Sequence, residues 1–255
     1  MPGKIEKQAI RAAFGRAATR YDTVAEVQRR IARILVERTP VLCAGNILDA
    51  GCGTGFGATH LRRQAAAGRI FTLDAAHAMC VQSANPLTVC GDIEALPLAN
   101  SSMDLYWSSL AWQWTRPVLA IAEAARILKP GGLLRVATLG PETLHELRCA
   151  FSSVDEHPHV RDFDAPELYA ELLASHGFRA ITLERSREQT FSSDLAALLR
   201  DIRTLGAHEL GRSRRPGLLG RRAWMRLLST YESFREAAGL PVSYDVIMLS
   251  ATRIS

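Results

Sequence analysis

Apolar residues recur along this chain with two spacings, one typical of helices and the other of strands. From residue 5 to residue 38 they fall at helical spacing with arginines on the other face, which predicts one or two helices. Between Ile47 and Leu139, short apolar runs alternate with amphipathic segments, a pattern that predicts a mainly parallel sheet with helices on both faces. The predicted strands of this region are 47–50, 68–74, 86–90, 101–107 and 133–139.

The last third of the chain departs from this alternation. Residues 178–191 form a predicted sixth strand, and residues 194–240 are helical in pattern where a minimal core would pass straight to a seventh strand. That seventh strand, predicted at 244–254, is expected to run antiparallel in the same sheet. We therefore predict one α/β domain over the whole chain. Its parts are an N-terminal helical lid (5–38), a core (44–192), a helical insert (193–240) and a closing strand (241–255).

A glycine-rich turn follows the first predicted strand. The sequence ILDAGCGTG places Gly51, Gly53 and Gly55 where the backbone can bend sharply and approach a ligand without a Cβ in the way. Asp49 would repel a pyrophosphate, whereas a ligand with an ammonium group and no phosphate suits it. S-adenosylmethionine (SAM) is such a ligand, and the stretch resembles motif I of the Rossmann-like SAM-dependent methyltransferases. A purely structural turn is the alternative.

Two further acids follow predicted strands at places that suit the rest of SAM. Asp74 comes after the second strand at a spacing from the glycines that is typical of ribose binding. In the methyltransferase class that this sequence resembles, the position of Asp92 accepts from the adenine amino group, Ile93 packs near the ring, and a tyrosine of a helical leader, here Tyr21, reaches the methionyl carboxylate. Packing alone is the alternative role of the leader, and of Met79. The predicted cofactor residues are Tyr21, Asp49, Gly51, Cys52, Gly53, Asp74, Ala75, Met79, Asp92, Ile93 and Ser108, the last marking backbone carbonyls for the ammonium group.

The segment after the fourth predicted strand lies at the carboxyl end of the sheet, where open α/β sheets bind ligands. It reads SSLAWQW, and Trp112, Gln113 and Trp114 are candidates to line an acceptor pocket. Aromatic packing in the core explains the tryptophans equally well.

Five longer stretches carry a more specific resemblance, and they are FGRAATRYDTVAEVQ, GDIEALPLANSSMDLYWSSLAWQW, ATLGPETLHELRCAF, DLAALLRDIRTLGA and GLPVSYDVIMLSA. They resemble one family, the malonyl-[acyl-carrier protein] O-methyltransferases of biotin synthesis. The resemblance implies transfer of the SAM methyl group to the free carboxylate of a malonyl thioester, on acyl carrier protein or coenzyme A, with S-adenosylhomocysteine as the other product.

A carboxylate acceptor is already ionised at pH 7, so this reaction needs no general base. The sequence offers no compelling pair of histidine and acid, and we expect catalysis by positioning and desolvation. A bidentate guanidinium can hold a carboxylate in a fixed orientation. Arg148, on the helix after the fifth strand, is the first candidate for this role, and Arg200 in the insert is the second.

Positive charge is concentrated in the insert. Between Asp194 and Arg226 there are eight arginines and three acids, and eight minus three gives +5, which equals the formal charge of the whole chain. Acyl carrier proteins are small and acidic, so the resemblance implies that this surface docks the carrier; a solvated face is the alternative. The candidate partner residues of the insert are Arg203, Arg214, Arg215, Arg221 and Arg222.

The bulk composition, 47% hydrophobic and 22% charged over 255 residues, is that of an ordinary globular protein. With no apolar run long enough to span a membrane and no apolar leader, we expect a cytoplasmic monomer with no metal, membrane or nucleic-acid partner, although the Arg-rich start leaves a transit peptide as an alternative. The rival functions are another small-acid or quinone methyltransferase, a protein-modifying assembly factor, and a non-catalytic SAM-binding regulator. A nucleic-acid methyltransferase is disfavoured because D/N-P-P-Y/F and Pro-Cys motifs are missing.

Overall fold

A seven-stranded sheet forms the centre of the protein, as seen in a computed structural model that describes residues 4–40, 45–65, 68–204 and 219–254. The strands are β1 (Asn46–Ala50), β2 (Arg69–Asp74), β3 (Thr88–Cys90), β4 (Met103–Ser109), β5 (Leu128–Leu139), β6 (Phe178–Ser192) and β7 (Leu240–Arg253). The helices are α1 (Lys4–Ala17), α2 (Tyr21–Val24), α3 (Glu26–Glu37), α4 (Phe56–Gln64), α5 (His77–Ser83), α6 (Pro117–Ile127), α7 (His145–Ser152), α8 (Pro166–Ser175), α9 (Leu195–Thr204) and α10 (Arg221–Glu232).

The strand order is β3-β2-β1-β4-β5-β7-β6, and β7 runs antiparallel to both of its neighbours. The predicted mainly parallel sheet with an antiparallel seventh strand is therefore confirmed. The chain reverses direction across the sheet between β1 and β4, and open α/β sheets bind ligands at the carboxyl ends of the strands beside such a switch.

Both faces of the sheet are covered, because successive side chains of each buried strand point to opposite sides. In β4, Leu105 and Trp107 join a core with Val27 and Ile31 of α3. Tyr106 joins a second core under α6. The α3 part of the helical leader therefore packs against the core.

Two regions differ from the sequence predictions. The leader forms three helices instead of one or two, because the backbone leaves helical geometry after Ala17 and again at Ala25, which has φ −89° and ψ 34°. The fifth strand, predicted at 133–139, begins earlier, at Leu128, so that Gly131 lies inside β5 with φ +77° and the pairing with β4 shifts register between Met103 and Leu105. Glycine tolerates that conformation, so the strand continues through an irregularity instead of ending.

The insert contributes α9 and α10. Leu195, Leu198 and Ile202 of α9 are buried in the same core as Tyr244 of β7, and α9 also contacts α2 of the leader. In α10 the buried Tyr231 hydroxyl donates to the Pro241 carbonyl at 2.9 Å. The predicted helical insert is therefore present where the structure describes it, whereas Arg214 and Arg215 lie outside the described residues.

Candidate active site

The glycine turn after β1 forms the floor of a cleft. Gly51, Gly53 and Gly55 all have positive φ, at +79°, +53° and +87°. A Cβ on Gly51 would lie 2.2 Å from the Ala111 Cβ, and one on Gly55 would lie 2.7 Å from the Ser83 carbonyl oxygen. A Cβ on Gly53 would meet no atom of the described residues within 4 Å. Gly51 and Gly55 are thus required by the protein's own packing, whereas Gly53 leaves open space for a ligand.

The cleft has two arms that share Tyr21, Gly51, Gly53, Ser109 and Leu110. The larger arm encloses about 750 Å³ of empty space, part of which is open to solvent. Its other lining residues are Lys7, Ile10, Arg11, Phe14, Asp74, Ala75, Met79, Asp92, Ile93, Ala111, Trp114 and Thr115. Those of the smaller arm include Gln28, Arg29, Asp49, Cys52, Thr54 and Gly57.

Asp49 is buried at the carboxyl end of β1, with 1% of its surface exposed. Neither carboxylate oxygen accepts a well-formed hydrogen bond from a described residue. Burial raises the pKa of Asp49 to about 7, although the nearby Ala58 N–H opposes the shift. Burying a carboxylate without a partner is costly, so this geometry suits a ligand that brings a cation.

The same arm holds two polar side chains that the sequence reasoning missed. Gln28 has a buried amide oxygen without a partner among the described residues. Arg29 lines the arm and donates to the Asp22 carbonyl at 2.5 Å. An arginine and an orphaned carboxylate in one small arm fit the carboxylate and the ammonium of an amino acid. The available signal was nearness in the sequence to the predicted Tyr21, which Gln28 follows by seven residues.

Asp74 ties the glycine turn to the start of α5. Its Oδ2 accepts from the Gly53 N–H at 3.0 Å and its Oδ1 accepts from the Ala76 N–H at 2.8 Å. Burial raises the pKa of this carboxyl, opposed by these backbone hydrogen bonds. Each oxygen keeps a lone pair that can accept from a ribose hydroxyl. Met79 is fully buried in a small core and also lines the larger arm, where its contact with the adenine stays a prediction.

Asp92 fastens the first helix across the larger arm. Its Oδ2 accepts from Lys7 Nζ at 2.9 Å and from Arg11 Nη2 at 3.1 Å, and its Oδ1 accepts from the Glu94 N–H at 3.0 Å. Burial opposes the shift, but these hydrogen bonds lower the pKa of Asp92. Both oxygens are already engaged, and acceptance from an adenine amino group stays a prediction.

The leader covers the cleft with aromatic side chains. The rings of Phe14 and Trp114 meet edge to face, with centroids 5.4 Å apart. Tyr21 lines both arms, and burial, together with Asp74 and Asp22, raises the pKa of its hydroxyl. The part of the leader from α1 to Tyr21 therefore forms a lid.

The segment after β4 divides between core and cleft, and one prediction for it needs correction. The Ser108 side chain turns inward and donates to the Ala50 carbonyl at 2.7 Å, while Ser109 and Leu110 line the cleft. A role for backbone carbonyls near Ser108 stays a prediction. Trp112 is fully buried and donates to the Tyr106 hydroxyl at 3.0 Å, so it is a core residue and not part of an acceptor pocket.

A 3₁₀ turn over Trp112–Trp114 explains why Trp112 lies in the core whereas Trp114 faces the cleft. With three residues per turn, side chains two positions apart point in different directions. Trp114 therefore lines the cleft. Gln113 is buried and donates to the Leu110 carbonyl at 2.7 Å, which supports the lining loop from behind.

The predicted arginines lie away from the lining of either arm, as far as the described residues define it. Arg148 donates to Asp162 at 3.0 Å and to the Arg161 carbonyl at 3.1 Å. The remaining candidates are exposed on the insert helices, and they are Arg200 and Arg203 of α9 and Arg221 and Arg222 of α10. Their roles toward substrate and partner stay predictions.

Within the described part of the chain, no three histidine, cysteine or acidic side chains are grouped to hold a metal ion. His159 instead pairs with Asp155 at 2.8 Å and stacks on Phe151. None of the described helices is both long and apolar enough to cross a membrane.

The fold and the cleft define a class of protein. A profile described as a methyltransferase domain matches residues 48–136. The YcgJ protein from Bacillus subtilis, a solved structure, aligns with a TM-score of 0.63 at 13% identity, covering 89% of this chain and 99% of that one. The chain is a Rossmann-like SAM-dependent methyltransferase, and the orphaned Asp49 and open Gly53 fit that cofactor.

Relatives that align over nearly the full chain identify the family within this class. The malonyl-[acyl-carrier protein] O-methyltransferase of Dechloromonas aromatica is 43% identical over 97% of this chain and 95% of its own length. The enzyme of the same name from Herminiimonas arsenicoxydans is 37% identical over 98% and 97%. The chain belongs to the malonyl-[acyl-carrier protein] O-methyltransferase family.

Replacing Asp49 by asparagine tests the orphaned carboxylate. Burial raises its pKa from 3.8 to about 7, so the unliganded protein should lose stability as pH rises between these values, because the folded state binds the extra proton. Asp49→Asn should flatten that slope in urea unfolding, and should weaken SAM binding about tenfold or more in calorimetry, through loss of a charged hydrogen bond. Glu156→Gln, in an exposed loop, is the control. Unchanged SAM affinity would refute the ammonium site.

Gly53→Ala tests the open floor of the cleft. The new Cβ should enter ligand space and lower SAM affinity, while the left-handed backbone costs only about 1–2 kcal/mol of folding stability. Gly131→Ala is a matched control, because Gly131 has φ +77° and equally open surroundings among the described residues. Gly51→Val is a poor probe, since its Cβ would strike Ala111. Equal loss of SAM affinity in the Gly53 and Gly131 variants would contradict the assignment.

Proposed function

We propose that this protein transfers the methyl group of SAM to the free carboxylate of malonyl-[acyl-carrier protein]. The product is the malonyl methyl ester that primes pimeloyl synthesis for biotin. The observation that carries the proposal is the 43% identity to a malonyl-[acyl-carrier protein] O-methyltransferase over nearly the full length of both chains. A bifunctional biotin biosynthesis protein of Cellvibrio japonicus, which this chain matches at 36% identity over 50% of that protein's length, supports the same pathway.

The cofactor's positions follow from the two arms. In the smaller arm, Asp49 would accept from the methionyl ammonium group and Arg29 would bind the methionyl carboxylate, with Tyr21 at the junction. In the larger arm, Asp74 would accept from the ribose hydroxyls, and Ile93 and Met79 would pack on the adenine. SAM supplies a methyl group on a positively charged sulfur, which is open to in-line attack.

The acceptor end of the cleft is apolar in its described lining. Phe14, Leu110, Ala111 and Trp114 converge there, and among the described residues no histidine lines either arm. Such walls strip water from the malonyl carboxylate and hold it in line with the methyl group. The carboxylate attacks in its ionised form, so the side chains need only orient it and exclude water.

The insert would dock the carrier protein. Its described arginines, Arg200, Arg203, Arg221, Arg222 and Arg226, are all exposed, and Met225 beside them is 58% exposed. Because α9 contacts α2, this basic surface adjoins the lid. An acidic carrier approaching the basic surface would bring its thioester arm toward the acceptor end of the cleft.

A direct assay tests the reaction. Purified protein with SAM and malonyl-[acyl-carrier protein] should give a carrier heavier by one methylene group, and hydrolysis of the new ester should restore the malonyl form. Acetyl-[acyl-carrier protein], which has no free carboxylate, is the control and should gain nothing. Absence of the methyl ester, in a preparation shown by calorimetry to bind SAM, would reject the proposed substrate.

Salt and charge reversal test the docking surface. Raising ionic strength from 0.05 M to 0.5 M shortens the Debye length from about 14 Å to about 4 Å, so KM for malonyl-[acyl-carrier protein] should rise more steeply than KM for malonyl-coenzyme A. Changing Arg221, Arg222 and Arg226 to glutamate should reproduce the high-salt KM at low salt and leave SAM affinity unchanged. The control reverses Arg63, Arg69 and Arg179, which are exposed elsewhere on the protein. Identical KM values for both triple variants would place docking on another surface.

A further inference from the structure

A cation lies beside the acceptor end of the cleft, on the loop between α7 and α8. The guanidinium carbon of Arg161 is 5.4 Å from the centroid of the Trp114 ring, a cation–π contact. Trp114 lines the larger arm, and its ring also meets Phe14 of the lid. Arg161 therefore lies against a wall of the cleft, although the sequence alone gave it no role.

The surroundings of Arg161 are partly buried. Burial raises the pKa of the Tyr169 hydroxyl to about 12, and the charge of Arg161 acts against that shift. Burial likewise raises the pKa of Asp164, again against Arg161. Asp164 thus keeps a raised pKa despite the neighbouring cation. Charge interactions are stronger in such a region than at an open surface, so the guanidinium of Arg161 acts on nearby charges more strongly than an exposed arginine would.

Arg148 fixes the backbone that carries Arg161. Its two terminal nitrogens donate to the Arg161 carbonyl at 3.1 Å and to the Asp162 carboxylate at 3.0 Å. On the other side, His159 stacks on Phe151 of α7 with ring centroids 3.8 Å apart. The loop is thus held from the α7 helix at two points flanking Arg161.

The described cations that line the cleft are Lys7, Arg11 and Arg29. Lys7 and Arg11 pair with Asp92, and Lys7 also pairs with Glu94. Arg29 lies in the smaller arm with Asp49, at the methionyl end. Arg161 does not itself line either arm, but it contacts the ring of Trp114, which does.

We propose that Arg161 binds the malonyl carboxylate and that Arg148 is a positioning residue for it; this inference rests on the proposed function. One carboxylate oxygen pairs with the guanidinium while the other donates its electron pair to the methyl carbon. The carbon–sulfur bond breaks with its electrons staying on sulfur, and no proton moves. The ester that forms is uncharged, so the ionic contact is lost and the product is released more easily.

The test measures charge selectivity. Binding of malonyl- and acetyl-[acyl-carrier protein] is compared in the presence of S-adenosylhomocysteine, since only the malonyl group carries the charge. Wild type should prefer malonyl about tenfold to a hundredfold, and Arg161→Gln should abolish this preference without changing SAM affinity. Arg161→Lys should restore part of it, because it keeps the charge but loses the planar guanidinium that packs on the Trp114 ring. Arg148→Gln should weaken it less, and Arg179→Gln, an exposed control, should not change it.

The outcomes separate this inference from the proposed function. If wild type methylates malonyl-[acyl-carrier protein] and Arg161→Gln keeps the full preference for malonyl, the carboxylate site lies elsewhere and only the inference fails. If Arg161→Gln loses affinity for both carriers equally, the residue is structural and the inference is again overturned. If wild type makes no methyl ester at all, the proposed function itself fails.

Discussion

The site depends on one buried carboxyl group, that of Asp49, whose oxygens accept no well-formed hydrogen bond from the described residues. Asp49 is at the end of β1, paired in register with Thr72 and Trp107 of the neighbouring strands. A Cβ on Gly57 would lie 2.5 Å from the Trp107 ring and 3.0 Å from Asp49 Oδ2, so α4 begins as close to this carboxylate as a residue without a side chain permits. The sheet, the ring and the helix therefore enclose Asp49 and exclude water. The unliganded protein bears that desolvation, and a cationic ligand relieves it, so binding and stability are coupled through one residue.

Three acids at neighbouring strand ends have different roles because their surroundings differ. Asp49 accepts no well-formed hydrogen bond from the described residues, and burial raises its pKa. Asp74 accepts from two backbone N–H groups, yet burial still raises its pKa. Asp92 pairs with two cations of α1, and its pKa falls. The first is left to be satisfied by a ligand, the second fixes the shape of the turn, and the third fastens the lid. The row of acids that lines the cleft thus also ties the lid to it, through Asp92.

The sequence could predict those features that residues close together in the chain determine. Strand spacing, the glycine turn and the helical insert are local patterns, and the predicted cofactor residues other than Ser108 line the two arms of the cleft. What it could not predict depends on contacts between distant segments. Trp112 and Trp114 look alike in sequence, and only the hydroxyl of Tyr106 and the turn between them separate core from cleft. The pairing of Asp92 with Lys7 joins residues 85 positions apart, and Arg161 gains its place from Arg148 and from a ring on another loop.

For the proposed reaction, the charges constrain how strongly an anchor should bind. A sulfonium and a carboxylate enter the cleft, and a neutral thioether and a neutral ester leave it, so the transition state carries less charge than the bound reactants. Fixed charges that hold the reactants too tightly would lower the ground state more than the transition state and slow the reaction. Arg161 fits a carboxylate anchor of moderate strength, because its guanidinium contacts the face of the Trp114 ring and its charge also acts on Asp164. Apolar walls then accelerate the reaction by removing water from the sulfonium and the carboxylate, whose opposite charges neutralise each other as the new bond forms. The arginine selects the acceptor and sets its orientation.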